Sequence, residues 1–260
     1  MTYDTLWIGC SFSAGVYNKD NEILDKHQGI PNRLAQELSQ KWKILTFPAN
    51  GVHMFMQAIK VLDDKNLLSK FRNIIVQQTY EPRLEFLDHK AYQKIFIDVL
   101  DYIQNESFNQ TFSTNDQIGQ RRFSIIARQF IEMHIKRFKQ DKLEFANLAD
   151  EIAECVDPRH KDIDHYCVWA DAALDYIKLV AGKNGCNFYT FKWATTYFNA
   201  PKVFMQVPKG LFRGLTDMQN IIHENNLDSY LSSPGDHPTQ KIVDFASQVL
   251  KKELLELGYK

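Results

Sequence analysis

Short apolar runs alternate with segments of helical periodicity along the first third of the chain. The apolar runs cover residues 4–9, 43–48 and 72–78, and each is too short to form a helix. Between them, apolar side chains recur every three or four residues over 31–42 and 54–62. Strands that alternate with helices at this spacing predict a parallel sheet with right-handed crossovers.

The strand pattern fades in the middle of the chain. Apolar spacing predicts helices over residues 92–103 and 123–135, and the polar stretch from Asn105 to Gln120 predicts a loop between them. A further helix over 165–181 is followed by a strand over 186–193.

An amphipathic helix from Ile242 to Leu255 ends the pattern. The whole predicts one domain over residues 1–260, a flavodoxin-like three-layer α/β/α sandwich with about five parallel strands. We expect a helical insertion at about residues 85–183 to cap it.

Composition and charge limit the partners. Apolar residues make up 44% of the chain, enough to bury a core. The 31 basic and 32 acidic residues nearly cancel in charge, so we expect no nucleic-acid partner. We interpret the basic stretch at 121–142 as a solvated helix face. Asp4 stands where a signal peptide would be basic, and no apolar run reaches 18 residues, so we expect a cytoplasmic protein with no membrane partner.

Neither a disulfide scaffold nor a metal site is predicted. The four cysteines have no CxxC spacing, so reduced thiols are expected at Cys10, Cys155, Cys167 and Cys186. The polar cluster at residues 160–167 matches no zinc-ligand spacing, and we predict no metal and no cofactor.

The two ends of the chain supply a candidate nucleophile and a candidate base. Ser11 follows the first strand, at the carboxyl end where open α/β sheets bind ligands. His237 stands in a loop just before the last helix, from which its ring can reach Ser11 across the sheet. A serine hydroxyl needs such an imidazole to accept its proton. Cys10 is an alternative nucleophile if its thiolate is stabilised.

The Gly-Cys-Ser run at residues 9–11 and the Asp-His pair at 236–237 resemble the first and last blocks of the SGNH/GDSL hydrolase superfamily. The family's first block is Gly-Asp-Ser, and here Cys replaces the Asp. The resemblance covers residues 1–80 and 186–260, and the Gly-Cys-Ser-Phe variant is similar to members encoded by tailed phages and marine bacteria.

This resemblance implies a serine esterase or acyl hydrolase that cleaves small or carbohydrate O-acyl esters through an acyl-serine intermediate. His237 would be the base, and Asp236 would orient it. A Ser-His dyad held by a backbone carbonyl and the use of Asp228 stay open as alternatives. The backbone N–H groups of Ser11 and Gly51 would bind the oxyanion.

The family's third block is missing after the strand at 72–78. In the family this block reads Gly-x-Asn-Asp, and its Asn donates to the oxyanion. Here Thr79 or Gln78 would donate in its place, and Arg83 would bind an anionic or polyhydroxy substrate. The departures in the third block and at Asp236 leave an alternative function open, a non-catalytic binding or structural module on the same scaffold.

Overall fold

A five-stranded parallel sheet forms the centre of the fold. The computed structural model describes residues 3–48, 51–78, 83–87, 89–114, 122–126, 163–193, 218–232 and 237–260. The strands in these ranges are β1 (Tyr3–Gly9), β2 (Val16–Tyr17), β3 (Ile23–Asp25), β4 (Trp42–Thr46), β5 (Phe71–Gln78), β6 (Arg83–Leu87), β7 (Thr111–Ser113), β8 (Arg122–Ile126) and β9 (Asn187–Lys192). The α-helices are α1 (Ile30–Glu37), α2 (Val52–Asp64), α3 (His89–Gln104), α4 (Ile163–Lys183), α5 (Met218–Glu224) and α6 (Gln240–Glu256).

The central sheet has the strand order β7-β4-β1-β5-β9, and all its pairings are parallel. Its three middle strands, β4, β1 and β5, follow the second-first-third arrangement of a flavodoxin-like sheet. Strand β7, the fourth of the sheet along the chain, lies beside β4 at one edge, and β9 lies at the other. β2–β3 and β6–β8 form separate antiparallel pairs.

Burial explains why β1 is the central strand. Every residue of β1 except Asp4 is buried, as expected for a strand covered on both faces of a parallel sheet. The Trp7 ring stacks on the Trp42 ring of β4 at 5.9 Å and contacts Phe191 of β9 at 5.5 Å between ring centroids. These rings therefore tie three strands of the sheet together on one face.

Side chains of neighbouring residues in β4 show the two outer layers. Trp42 meets Tyr259, which follows α6, whereas Lys43 meets Tyr102 of α3. Because successive strand residues face opposite sides of a sheet, α3 and the end of α6 lie on opposite faces. Helix α1 packs against α6, and α2 packs against α3 and α4. The predicted three-layer α/β/α sandwich is thus confirmed.

Two local predictions are wrong. The range 105–120, predicted as a loop, contains β7, because Asn109 fixes this segment against β4: its Oδ1 accepts the Trp42 N–H and its N–H donates to the Trp42 carbonyl, both at 2.8 Å. The helix predicted from residue 123 is a strand over 122–126, where the backbone pairs with β6. The range predicted as an insertion also supplies α3, β7 and α4 to the sandwich, and residues 127–162 lie outside the described part.

Lys43 is a buried cation at the start of β4. Its Nζ donates to the Tyr102 carbonyl at 2.7 Å and to the Asn105 carbonyl at 2.9 Å, and it lies 4.9 Å from the Tyr3 ring centroid. Burial lowers the pKa of Lys43 to about 8, and the charge of Lys70 adds to the effect. The fold therefore disfavours the charged form of this side chain relative to the unfolded chain.

This depressed pKa predicts a pH-dependent stability. Between about pH 8 and the ordinary lysine value of 10.5, the unfolded chain binds more protons than the folded one, so the free energy of unfolding rises with pH. Relative to Lys43→Met, which does not titrate here, wild type should gain about 1–3 kcal/mol across this window. Urea unfolding of both proteins at pH 7.5 and pH 10.5 measures it, and a constant difference between them would contradict the prediction.

Candidate active site

A single 3-10 turn, Ser11–Ser13, follows β1 directly at the carboxyl edge of the sheet. The Ser13 N–H donates to the Cys10 carbonyl and the Ala14 N–H to the Ser11 carbonyl, both at 3.0 Å. Phe12 and Ser13 are buried, but Ser11 is only half-buried. Ser11 is therefore the most exposed residue of the turn.

Hydrogen bonds to side chains of β1 and β5 hold the turn in place. The Trp7 indole N–H donates to Ser13 Oγ at 3.0 Å, and this hydroxyl donates to Gln77 Oε1 on β5. The Cys10 N–H also donates to Gln77 Oε1, at 3.4 Å. The Ser11 turn is thereby attached to both β1 and β5.

Gly9 is required by this packing. A Cβ at Gly9 would lie 2.6 Å from both Gln77 Oε1 and Ser13 Oγ, far inside van der Waals contact. Both oxygens would have to shift, and they are hydrogen-bonded to each other and to Cys10 or Trp7. Glycine is therefore needed at position 9 for structural reasons, because only the absence of a side chain lets the turn pack against Gln77.

Gly9→Ala is expected to lower the free energy of unfolding by about 1–3 kcal/mol, because the added methyl overpacks a site held by hydrogen bonds. The matched control is Gly182→Ala in α4, where an added Cβ meets nothing within 4 Å. That substitution should be neutral or stabilising, since alanine is the better helix former. Chemical denaturation of the two variants measures the difference, and equal effects would contradict the steric argument.

His237 comes from the other end of the chain and contacts the Ser11 turn. Its ring stacks on Phe12 with centroids 4.7 Å apart and on Tyr17 at 4.4 Å. Ser232 pins its backbone from both sides: the His237 N–H donates to Ser232 Oγ at 2.9 Å, and the His237 carbonyl accepts the Ser232 N–H at 3.0 Å. The structure thus packs the His237 ring against Phe12, the residue that follows Ser11.

Tyr17 joins the two ends of the chain at this point, and sequence patterns gave no sign of it. Its hydroxyl donates to the Ser11 carbonyl at 2.8 Å, and its N–H donates to the Pro238 carbonyl at 3.0 Å. Burial raises the pKa of Tyr17 well above its ordinary value, with a smaller contribution from Cys10, so the hydroxyl stays a donor. Phe12 also stacks on Trp193 at 5.0 Å, which extends the aromatic stack to the end of β9.

Gly51 stands at the N-cap of α2, in the loop after β4. Since β4 neighbours β1, the loops that carry Gly51 and Ser11 share the same edge of the sheet. The N-terminus of this helix favours negative charge nearby. His53, in the first turn of α2, has its pKa lowered by burial, so it is neutral at neutral pH. It is a further titratable group at this edge.

Other predicted site residues fall outside this cluster or outside the described ranges. Asp236 and Thr79 are not among the described residues, and Arg83 is described only as the first residue of β6.

Asp228 lies on the surface, and its carboxylate contacts His223 Nδ1 at 3.1 Å. The Gln78 Nε2 group donates to Thr190 Oγ1 at 3.0 Å and so serves the sheet. Cys10 is fully buried, in contrast with the accessible Ser11. Of the two candidate nucleophiles, Ser11 is therefore the more exposed.

Within the described ranges, no three His, Cys, Asp or Glu side chains cluster in a way that would hold a metal ion. The polar cluster at 160–167 and the basic stretch at 121–142 lie outside the described side chains. None of the described helices combines the length and apolar character needed to cross a membrane. No protein-family model, curated protein or solved structure matches this chain.

Proposed function

We propose that this protein is a serine esterase of the SGNH type, with Ser11 as nucleophile and His237 as base. The observation that carries the proposal is the meeting of the two chain ends. The accessible Ser11 follows the central strand, and the His237 ring stacks on Phe12, the next residue along the chain. A parallel α/β sheet binds ligands at this edge.

In the proposed reaction, His237 accepts the proton of Ser11 as its Oγ attacks the ester carbonyl. The tetrahedral intermediate carries a negative oxygen, which the N–H groups of Ser11 and Gly51 bind. Collapse breaks the ester C–O bond, and the alkoxide leaves with the proton from His237. A water molecule then attacks the acyl-Ser11 ester and releases the acid.

The aromatic stack suits the proton-accepting function of His237. Aromatic faces attract a cation, so the rings of Phe12 and Tyr17 favour the imidazolium that forms during the attack. Stacking also fixes the plane of the ring, and Ser232 fixes its backbone. Asp236 stays the proposed orienting carboxylate, with the Ser-His dyad as the alternative.

The proposed substrates are small or carbohydrate O-acyl esters, and the proposed reaction needs no cofactor. Thr79 and Arg83 are the proposed substrate contacts, because they follow β5, the strand next to β1. A non-catalytic binding or structural module on the same scaffold is the alternative that the missing third block leaves open.

Reaction with a fluorophosphonate probe tests the proposal, because such probes phosphonylate only an activated serine. We expect wild type to be labelled at a single residue, which peptide mass spectrometry identifies as Ser11, and to hydrolyse 4-nitrophenyl acetate. A chain that is folded but neither labelled nor hydrolytic would contradict the esterase proposal and support the binding-module alternative.

A further inference from the structure

Gln77 is a fully buried polar side chain that faces the Ser11 turn from β5. Its Oε1 accepts hydrogen bonds from the Cys10 N–H and from Ser13 Oγ. Because a backbone N–H can only donate, the Cys10 contact identifies the amide oxygen and fixes the orientation of the carboxamide. Its Nε2 is buried and has no hydrogen-bond partner among the described residues.

The two groups that Gln77 holds lie on either side of the nucleophile. Cys10 precedes Ser11, and Ser13 is the last residue of the 3-10 turn. Fixing both ends of so short a turn fixes the backbone of Ser11 between them. The absence of a side chain at Gly9 is what lets Gln77 approach the turn this closely.

We propose that Gln77 is a positioning residue that sets where the Ser11 hydroxyl stands relative to His237. This inference rests on the proposed function. Gln77 has no exposed surface, so it cannot touch a substrate and acts only through the turn. Loss of its bonds should therefore slow the chemical step and leave substrate binding unchanged.

Gln77→Met tests the proposal, because it keeps the length of the side chain and removes the acceptor oxygen. A displacement of about 1 Å in a reacting group can cost 10²-fold in rate, so we expect phosphonylation and kcat to fall about 10- to 100-fold with KM unchanged. The matched control is Asn73→Leu. Asn73 is also fully buried and hydrogen-bonded on β5, but it lies about 13 Å away along the strand.

Asn73→Leu is expected to lose stability while retaining the wild-type rate. An equal loss of rate in both variants would show that Gln77 matters only for stability and would overturn the proposal.

Gln77→Glu separates positioning from stability more sharply. A glutamate keeps an acceptor oxygen at the same reach, so both bonds to the turn can form. Its second oxygen takes the place of Nε2, where the described residues offer no donor, and burying a charged carboxylate with one oxygen unpartnered is costly. We therefore expect Gln77→Glu to be less stable than Gln77→Met but several-fold faster. The same order for stability and rate would contradict positioning.

Amide hydrogen exchange tests the contact without relying on catalysis. In Gln77→Met, the Cys10 amide loses its acceptor, and the amides of Ser13 and Ala14 lose the support of the turn. We expect their exchange to accelerate at least 10-fold relative to Asn73→Leu. If exchange accelerates but wild type shows no esterase activity, the proposed function fails, whereas the conclusion that Gln77 holds the turn in place remains. If exchange is unchanged, the positioning proposal fails whatever the activity.

Discussion

Ser11→Ala is expected to abolish fluorophosphonate labelling and to lower kcat/KM for 4-nitrophenyl acetate on the order of 10³-fold or more. The hydroxyl forms the acyl intermediate in the proposed reaction, and no other group of the turn can replace it. Cys10 and Ser13 flank Ser11, but both are fully buried, and Ser13 Oγ is held by Trp7 and Gln77. The variant should fold normally, because Ser11 is only partly buried and the substitution removes one atom.

The control for this substitution is Ser69→Ala, which makes the same chemical change at a surface 3-10 turn. Ser69 Oγ donates to the Asn66 carbonyl at 3.1 Å, and Ser69 lies just before β5, at the opposite edge of the sheet from Ser11. Full labelling of Ser69→Ala together with none of Ser11→Ala identifies the nucleophile. Labelling that persists in Ser11→Ala would remove Ser11 from the mechanism.

His237→Phe is expected to retain the fold and to lower kcat/KM by about 10²- to 10⁴-fold, the usual contribution of a general base. Phenylalanine can stack between Phe12 and Tyr17 as the imidazole does, but it has no nitrogen to accept the Ser11 proton. The backbone bonds to Ser232 do not depend on the side chain. Stability and activity should therefore separate.

Thermal unfolding and the pH profile of kcat/KM check this prediction. His237→Phe should unfold within a few degrees of wild type. In wild type, kcat/KM should fall at low pH as the histidine base is protonated, and this fall should be absent from His237→Phe. His237→Ala is the comparison, because it removes both the base and the stack and should lose stability as well. A His237→Phe variant with wild-type kcat/KM would show that the ring is only a packing element.

The sequence by itself determined the strands that hold the site. Short apolar segments predicted β1, β4 and β5, and the alternation of aromatic and polar residues predicted β9, each within a few residues of its observed bounds. Chain order then placed Ser11 after the first strand and the loop of Gly51 after the second. These predictions succeeded because periodicity and strand ends are local properties.

Tertiary structure decided the features that depend on contacts between distant parts of the chain. The edge strand β7 is three residues long and exists because Asn109 bonds to the start of β4, and β8 is a strand because it pairs with β6. Tyr17 and Gln77 join the site through contacts with residues far away in sequence or on another strand. Their residue types are ordinary for a buried sheet, and only packing brings an aromatic ring to His237 and an amide oxygen beneath Ser11. The sequence alone thus determined the strands and the order of the candidate residues. The folded chain decided their surroundings, because hydrogen bonds and ring contacts between distant segments form only once the sheet has brought those segments together.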